Sequence, residues 1–258
     1  MYANYHTHTK RCHHAIGEER EYVEAAIKAG FSVLGFADHV THIVKDKDYD
    51  YRGRMRPEET AEYIMNLQRL RDEYVNDIKI HIGFEMEYYP SYFEDTLAFL
   101  SNFDYEYLIL GQHHTDDGQD GEHVMNRNNT NEELALYVDR VVSGINTGKF
   151  TYIAHPDVVN YVGDDDFYRE EMKKICLAAK AKGIPVEINC IGVRRNRCYP
   201  DDRFWKIARD VGNSVVIGVD AHTPADLLDM ATIKKCQELS RRFDLFPMRE
   251  IKLVDPKI

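Results

Sequence analysis

The sequence has few cysteines, no basic run and no long apolar run, and each absence excludes a class of protein. Its five cysteines are odd in number and scattered without a CxxC pair, which argues against a disulfide framework and against a structural zinc knuckle. With a net charge of −11 and no cluster of Lys and Arg, we expect no binding to nucleic acid. No apolar segment approaches the ~18 residues of a membrane span, and the first histidine comes too early for a signal peptide. The sequence therefore predicts a soluble protein of the reducing cytoplasm.

Short β-branched or aromatic segments alternate with segments of helical periodicity along the chain. The predicted strands lie at 2–6, 32–37, 78–85, 106–112, 150–155, 184–189 and 214–220. The predicted helices lie at 16–30, 56–75, 130–145, 165–183 and 223–243. This alternation indicates a parallel sheet with helices outside it, and closure into a barrel is favoured in a chain of 258 residues with no evident linker. We expect one α/β domain over residues 1–258, with the polar segments 41–56 and 114–130 as loops over a site.

The segment 4–15, NYHTHTKRCHHA, places four histidines within nine positions. Residues two apart in a strand point to the same side, so His6 and His8 can converge on one metal ion. Imidazole is the commonest metal ligand in proteins, because a neutral ring nitrogen binds zinc, iron or manganese near physiological pH. These histidines are spaced and run into apolar sequence, unlike the remnant of a purification tag. The segment predicts a metal site beside the first strand.

Six of the seven predicted strands end in His, Asp or Glu. These ends are His6 and His8, Asp38-His39, Glu85, His113-His114, His155-Pro156-Asp157, and Asp220-Ala221-His222. In parallel α/β barrels the active site is built at the carboxyl ends of the strands, so these side chains meet at one rim. Nitrogen and carboxylate ligands without thiolate suit Zn, Mn or Fe. The pattern predicts a site for two to three divalent transition-metal ions at the carboxyl ends of the strands.

The motifs HxH, ADH, GFE, GQH, AHP and DAH follow one another in an order that resembles the PHP (polymerase and histidinol phosphatase) family. The stretches HTHTKRCHHA and EINCIGVR…YP resemble its histidinol-phosphatase branch in particular. The resemblance implies a distorted (β/α)₇ barrel, a three-metal centre and phosphomonoester hydrolysis. In that branch the substrate would be L-histidinol phosphate, an intermediate of histidine biosynthesis.

The resemblance also implies a ligand set for each ion. The first ion would be held by His6, His8, Glu85 and Asp220; the second by Glu85, His113 and His155; the third by His14, His39 and His222. Two choices are ambiguous: His14 fits the family spacing better than His13, and His113 continues the inward alternation of its strand, leaving His114 beside the substrate. The remaining histidines, His42, His81 and His123, are interpreted as loop, outward strand face and loop.

The expected chemistry assigns catalytic roles to carboxylates. A carboxylate such as Glu85 can bridge two cations, and cations about 3.5–4 Å apart share a hydroxide of lowered pKa and clamp a phosphoryl group for in-line attack. Asp220 would complete the first ion. Asp38 precedes His39 and is either the partner of a ligand imidazole or a turn residue after its strand.

The sixth predicted strand has no His or acid at its tip, but three arginines follow it. A planar guanidinium binds phosphate bidentately, so this segment is the expected clamp for a small phosphorylated substrate. Arg194 aligns best with the family pattern. Arg195 and Arg197 are better explained as solvated loop arginines, so Arg197 is a weaker candidate. The segment RGRMRPEE at 52–59 offers Arg54 as another weaker candidate for the same role. The sequence does not indicate an oligomeric state.

Three other functions compete with this interpretation. An amidohydrolase-type enzyme also carries HxH on its first strand and a terminal Asp, but it bridges its metals with a lysine on the fourth strand, which YLILGQHH lacks. A non-catalytic metal-binding scaffold is disfavoured because every ligand position is filled. A PHP phosphatase or phosphodiesterase for a nucleotide or another small phosphate ester stays open, since loops choose the substrate.

Overall fold

The computed structural model describes residues 2–46, 48–116 and 122–257, and its strands form one parallel sheet. The strands of these residues are β1 (Ala3–Asn4), β2 (Val33–His39), β3 (Lys79–Met86), β4 (Tyr107–Leu110), β5 (Tyr152–Ile153), β6 (Val186–Asn189) and β7 (Val215–Gly218). They are ordered from β1 to β7, and each is parallel to the next. Every predicted strand is present, and the α/β class is confirmed.

Helices connect the strands and cover the outside of the sheet. Within the described residues they are α1 (Glu19–Ala29), α2 (Thr60–Glu73), α3 (Phe93–Leu100), α4 (Asn131–Thr147), α5 (Asp165–Lys182), α6 (Cys190–Arg194), α7 (Asp202–Val211), α8 (Pro224–Leu227) and α9 (Met230–Arg242). The five predicted helices are confirmed, although the segment 223–243 forms two helices, α8 and α9. Helices α3, α6 and α7 were not predicted. No helix of the described residues is long and apolar enough to cross a membrane.

Helix α7 was missed although both of its ends carry ordinary signals. The side chain of Asp201 accepts a hydrogen bond from the backbone N–H of Arg203 at its start, and Gly212 ends it with a φ of +78°. One face of the helix is buried, with Phe204, Trp205, Ile207, Ala208 and Val211. These signals would have been sufficient to predict it.

The first and last strands meet at the carboxyl end of the sheet. Thr7, beyond the end of β1, forms a parallel bridge with Ala221, beyond the end of β7. The backbone N–H of His8 donates to the carbonyl of Ala221 at 2.9 Å, and that of Val219 donates to Oδ1 of Asn4 at 2.9 Å. The predicted seven-stranded barrel is therefore confirmed, and its closure places the first histidines beside the last strand.

Aromatic and aliphatic side chains fill the barrel below this rim. The interior cluster contains Ala3, Tyr5, Val33, Ala37, Tyr107, Ile109, Tyr152, Ala154, Val216 and Ile251. The buried hydroxyl of Tyr107 crosses the barrel and donates to the carbonyls of Tyr5 and Phe36, each at 2.9 Å. Because packed side chains occupy the interior, a site can open above them, where the strands end.

Candidate metal centre

The four predicted ligands of the first ion converge at the closure of the barrel. We call His6, His8, Glu85 and Asp220 the first donor group. The Nε2 atoms of His6 and His8 lie 3.1 Å apart. Oε2 of Glu85 lies 3.4 Å from His6 and 3.3 Å from His8, and Oδ1 of Asp220 lies 3.5 and 3.3 Å from the same two atoms. All four residues are buried, so these donor atoms converge in a place that is largely shielded from solvent.

The other carboxylate oxygen of Glu85 faces a second set of imidazoles. We call Glu85, His113 and His155 the second donor group. Oε1 of Glu85 lies 3.0 Å from Nε2 of His155 and 3.5 Å from Nε2 of His113. Glu85 thus presents one oxygen to each group, as a bridging carboxylate must. A side chain at Gly111 would overlap Oε1 of Glu85, so this position requires glycine.

The third set lies nearer to solvent. We call His14, His39 and His222 the third donor group; one ligand atom from each lies within 4.8 Å of the others. The Nε2 atoms of His14 and His222 are 2.9 Å apart, and Nδ1 of His39 lies 3.2 Å from Oε2 of Glu85. His13 turns away, and its Nε2 lies 3.0 Å from Glu59. The structure thus brings His14 rather than His13 to the group.

Hydrogen bonds on the far sides of these rings test whether the groups fit metal ions. Nδ1 of His6 lies 2.9 Å from Glu187, Nδ1 of His14 lies 2.8 Å from the carbonyl of Cys12, and Nδ1 of His222 lies 3.2 Å from the carbonyl of Asp220. An acceptor at Nδ1 fixes the proton there and leaves the Nε2 lone pair to face the group. Oδ1 of Asp220 is buried and receives no hydrogen bond in the described part of the chain. Converging lone pairs and an unsatisfied carboxylate oxygen fit divalent transition metals.

The surroundings keep both carboxylates of the first donor group ionised. Burial alone would raise the pKa of Glu85, but the imidazoles around it, His39 and His6 foremost, hold that pKa well below its usual range. Burial opposes the same outcome at Asp220, where His6 and His222 hold the pKa well below its usual range. Asp220 and His155 also have positive φ values, +52° and +29°. Non-glycine residues tolerate this conformation where the fold enforces it, which is frequent at functional sites.

Two buried carboxylates behind the donor groups were not predicted. Glu187, in the middle of β6, lies 2.9 Å from Nδ1 of His6 and accepts a hydrogen bond from the backbone N–H of His155 at 3.0 Å. Glu87 lies 3.3 Å from Nδ1 of His113. Glu187 stands two residues before Asn189, and Glu87 stands two residues after Glu85. In each pair both polar side chains face inwards. That spacing was the signal available in the sequence.

Asp38 lies beside the ring of His8, a predicted ligand of the first donor group. Its carboxylate accepts a hydrogen bond from the backbone N–H of Thr9 at 2.8 Å and another from the Thr9 hydroxyl. Its Oδ1 lies 3.7 Å from Nδ1 of His8. Asp38 therefore fixes the segment that follows His8, and it does not lie on the donor groups themselves.

A cavity of about 290 Å³ opens above the three groups. Its lining includes Glu85, Asp220 and eight of the eleven histidines and arginines that the sequence assigned to the site. These are His14, His39, His113, His114, His155, His222, Arg54 and Arg197. Arg195 and His123, which the sequence suggested were solvated loop residues, also line it. His42, interpreted as a loop residue, is buried, with Nε2 2.6 Å from Arg54.

Arg194 is not among the residues that line this cavity. Its Nη1 lies 3.1 Å from Oδ1 of Asp226, and its Nε lies 3.1 Å from Oδ2 of Asp229. The reason is local: residues 190–194 form helix α6 rather than a loop, and the helix turns this guanidinium towards α8 and α9. Two carboxylates already neutralise it, so the geometry does not favour the predicted phosphate clamp at this residue.

Comparisons with known proteins agree with this architecture. A family model described as the PHP domain matches residues 4–190. A "Probable histidinol-phosphatase" of Deinococcus radiodurans is 28% identical over 228 residues, with 86% of each chain covered. Another of that description from Schizosaccharomyces pombe is 23% identical over 247 residues, with 85% of this chain and 80% of that one covered.

Solved structures extend the likeness over the whole fold. The crystal structure of histidinol phosphate phosphatase from Lactococcus lactis, complexed with zinc, L-histidinol and phosphate, superposes with a TM-score of 0.72 at 18% identity. The superposition covers 97% of this chain and 98% of that one. The two chains therefore share a fold, including the part after residue 190 that carries Asp220 and His222.

Proposed function

Because the chain belongs to the PHP domain family, we propose that it is a metal-dependent phosphomonoesterase that hydrolyses L-histidinol phosphate to L-histidinol and phosphate. Its relative in Deinococcus radiodurans, described as a histidinol-phosphatase, matches it over nearly the full length of both chains. Resemblance alone carries the choice of this ester over other small phosphate esters. The proposal takes residues 1–258 as one domain, since the C-terminal segment contacts the barrel through the backbone N–H of Ile251 and the hydroxyl of Tyr5.

One observation carries the reaction class. Glu85 joins two sets of imidazoles through its two oxygens, 3.0 Å from His155 on one side and 3.3 Å from His8 on the other. A shared carboxylate between nitrogen donors is the arrangement of a multinuclear hydrolase centre. The cavity above it also carries arginines, whose guanidinium groups suit a charged phosphate ester better than a neutral amide.

We propose that the three donor groups hold two to three divalent ions of Zn, Mn or Fe. When bound, such ions lower the pKa of water and neutralise charge on the phosphoryl oxygens. The protein residues supply the rest. Glu85 and Asp220 provide ionised ligands, while Glu187 keeps the proton of His6 on Nδ1, away from the donor side.

The phosphate group is assigned to Arg197 and Arg195 in place of Arg194. Both line the cavity, and Arg197 donates to the hydroxyl of Tyr199 at 2.9 Å, which holds its guanidinium at the rim. From there the arginines can bind phosphate oxygens and hold phosphorus in line for attack. His114 also lines the cavity, and its buried Nδ1 has no partner among the described atoms, so it is free to contact the substrate.

A panel of phosphomonoesters and amides tests the proposal. Protein reconstituted with Mn, Zn or Fe is assayed for phosphate release and for ammonia release. We expect metal-dependent phosphate release with the highest kcat/KM for L-histidinol phosphate. A higher kcat/KM for a nucleotide would keep the reaction and change the substrate, whereas ammonia release without phosphate release would reject the phosphatase.

A further inference from the structure

Arg54 lies in a buried polar cluster beside the second donor group. Only 8% of its surface is exposed. Its Nη2 donates to Oε2 of Glu87 at 2.8 Å, and its Nη1 donates to Nε2 of His42 at 2.6 Å. Nδ1 of His42 in turn lies 2.6 Å from the hydroxyl of Tyr49. Both ends of the guanidinium are therefore held by the protein itself.

The cluster continues from Arg54 to a predicted metal ligand. Oε1 of Glu87 accepts a hydrogen bond from the backbone N–H of His113 at 3.2 Å and lies 3.3 Å from Nδ1 of the same ring. Nε2 of His113 faces Glu85 on the opposite side. A carboxylate at Nδ1 fixes both the tautomer and the orientation of an imidazole ligand. One oxygen of Glu87 holds His113, and the other is held by Arg54.

The charges within the cluster are already balanced. Nη2 of Arg54 lies 2.8 Å from Oε2 of Glu87, and both side chains are buried, so the guanidinium is paired with a carboxylate. Burial and Arg54 lower the pKa of His42 well below its usual range, so that ring is neutral and can accept from Nη1. A guanidinium whose charge is already paired with a buried carboxylate attracts a phosphate dianion less strongly.

We infer that Arg54 is a positioning residue: it fixes Glu87, and through Glu87 the ring of His113, and it does not bind the phosphate group. The inference rests on the proposed function for its metal ions and replaces the weaker substrate-binding role expected for Arg54. It concerns the second donor group, because the hydrogen bonds of Glu87 within the described residues reach His113 and none reaches His6, His8 or Asp220.

Two readouts separate positioning from phosphate binding in Arg54→Met, Arg54→Lys and Glu87→Gln. The first is Zn²⁺ affinity and stoichiometry, measured by competition with a chelating dye. The second is the dissociation constant of inorganic phosphate at saturating Zn²⁺, measured by calorimetry. We expect Arg54→Met and Glu87→Gln to weaken one Zn²⁺ ion by about 10–100-fold. Phosphate affinity should change less than twofold. Arg54→Lys should recover part of the Zn²⁺ affinity, because an ammonium can pair with Glu87.

A double variant and a surface control complete the design. Arg54→Met/Glu87→Gln should lose no more Zn²⁺ affinity than Glu87→Gln alone, because Arg54 acts through Glu87. Arg20→Met removes an exposed arginine paired with Glu73 and should change neither readout. If Arg54→Met does not fold, Arg54→Lys and Glu87→Gln decide.

The outcomes are distinct. Phosphate affinity weakened tenfold or more in Arg54→Met or Arg54→Lys would overturn the inference, whether or not Zn²⁺ affinity also falls. Unchanged Zn²⁺ affinity in the folded variants would overturn it as well. Failure of the wild-type protein to hydrolyse any phosphomonoester would reject the proposed function but leave the Zn²⁺ result intact, so the two failures can be told apart.

Discussion

Glu187 supports the first donor group and Glu87 supports the second, and the two carboxylates lie in different electrostatic settings. Glu87 is paired with Arg54, whose charge is permanent. Glu187 contacts the ring of His6, the backbone N–H of His155, the amide of Asn189 and the hydroxyl of Tyr152, but no Lys or Arg of the described residues. The charge of Glu187 is therefore balanced by the site itself, through the ring of His6 and whatever that ring binds.

The ionisation of His6 shows the consequence. Burial would lower the pKa of His6, but Glu187, Asp220 and Glu85 raise it well above its usual range. The carboxylates around the first donor group thus favour a positive charge there. The second donor group has its counter-charge built into the fold through Arg54. The first donor group therefore depends on a bound cation for its charge balance, whereas Arg54 balances the second before any ion binds.

The largest expected effect comes from Glu85, which belongs to both the first and the second donor group. Glu85→Gln should lower kcat/KM by about 10³-fold or more, because an uncharged amide has only one oxygen and cannot bridge two ions. The loss should exceed that of His222→Ala, which removes one ligand of one ion. Steady-state kinetics with metal stoichiometry checks this. Nearly full activity in Glu85→Gln together with an inactive His222→Ala would reverse the assigned roles.

The free energy of unfolding of the metal-free protein should distinguish Glu87 from Glu187. Glu87→Gln leaves the buried guanidinium of Arg54 unpaired and should lower the free energy of unfolding by about 3–5 kcal/mol. Glu187→Gln strands no permanent cation and should cost less than half as much. Urea unfolding of chelator-treated protein measures both. Equal losses would show that the two settings do not differ as described.

At the first donor group, metal affinity should fall more in Glu187→Gln than in Glu87→Gln. Glu187→Gln should weaken one ion by about 10–100-fold, because the proton of His6 is no longer fixed on Nδ1. Gly218→Ala provides a second variant, since a Cβ there would overlap Oε1 of Glu187 and displace the carboxylate. Gly148→Ala is the matched control: its φ of +73° strains the backbone, but nothing lies within 4 Å of the new Cβ. Chelator competition distinguishes the three variants.

The smallest expected effect concerns Arg197, which belongs to none of the donor groups. Arg197→Ala removes one charge-assisted contact to phosphate, worth about 1.5 kcal/mol, and should lower kcat/KM about tenfold. Metal content should not change. Arg194→Ala, compared in the same kinetic assay, should have a smaller effect, because its guanidinium is bound to Asp226 and Asp229. A larger loss in Arg194→Ala would restore the original prediction for that residue.

The sequence predicted the rim well because a simple rule governs it. Side chains alternate along a strand and parallel strands end at one edge, so His6, His8, Glu85 and His113 could be assigned to a common place before any coordinates. The same reasoning explains why His14 was harder to choose. It lies beyond the strand, where the turn around His13, with its φ of +61°, decides which ring faces inwards.

The arginines and the hidden carboxylates could not be chosen for different physical reasons. Successive residues of a helix point about 100° apart, so the choice among Arg194, Arg195 and Arg197 depended on the phase of the five-residue helix α6, which has no readable periodicity. Glu187 lies within β6, two residues before the strand ends at Asn189. A search of the strand ends for His, Asp and Glu therefore does not reach it. Its role depends on the approach of His6, which is 181 positions away.

The bridge between Thr7 and Ala221 also determines when the site can exist during translation. The N-terminal end leaves the ribosome first, so His8 is synthesised long before Asp220, which stands 212 positions later. Neither the first nor the third donor group can close until the last strand has been made. A product of premature termination before residue 220 therefore carries His6, His8 and Glu85 without the residue that completes them. In such a fragment the first and third donor groups stay open, and the second is the one whose residues are all present.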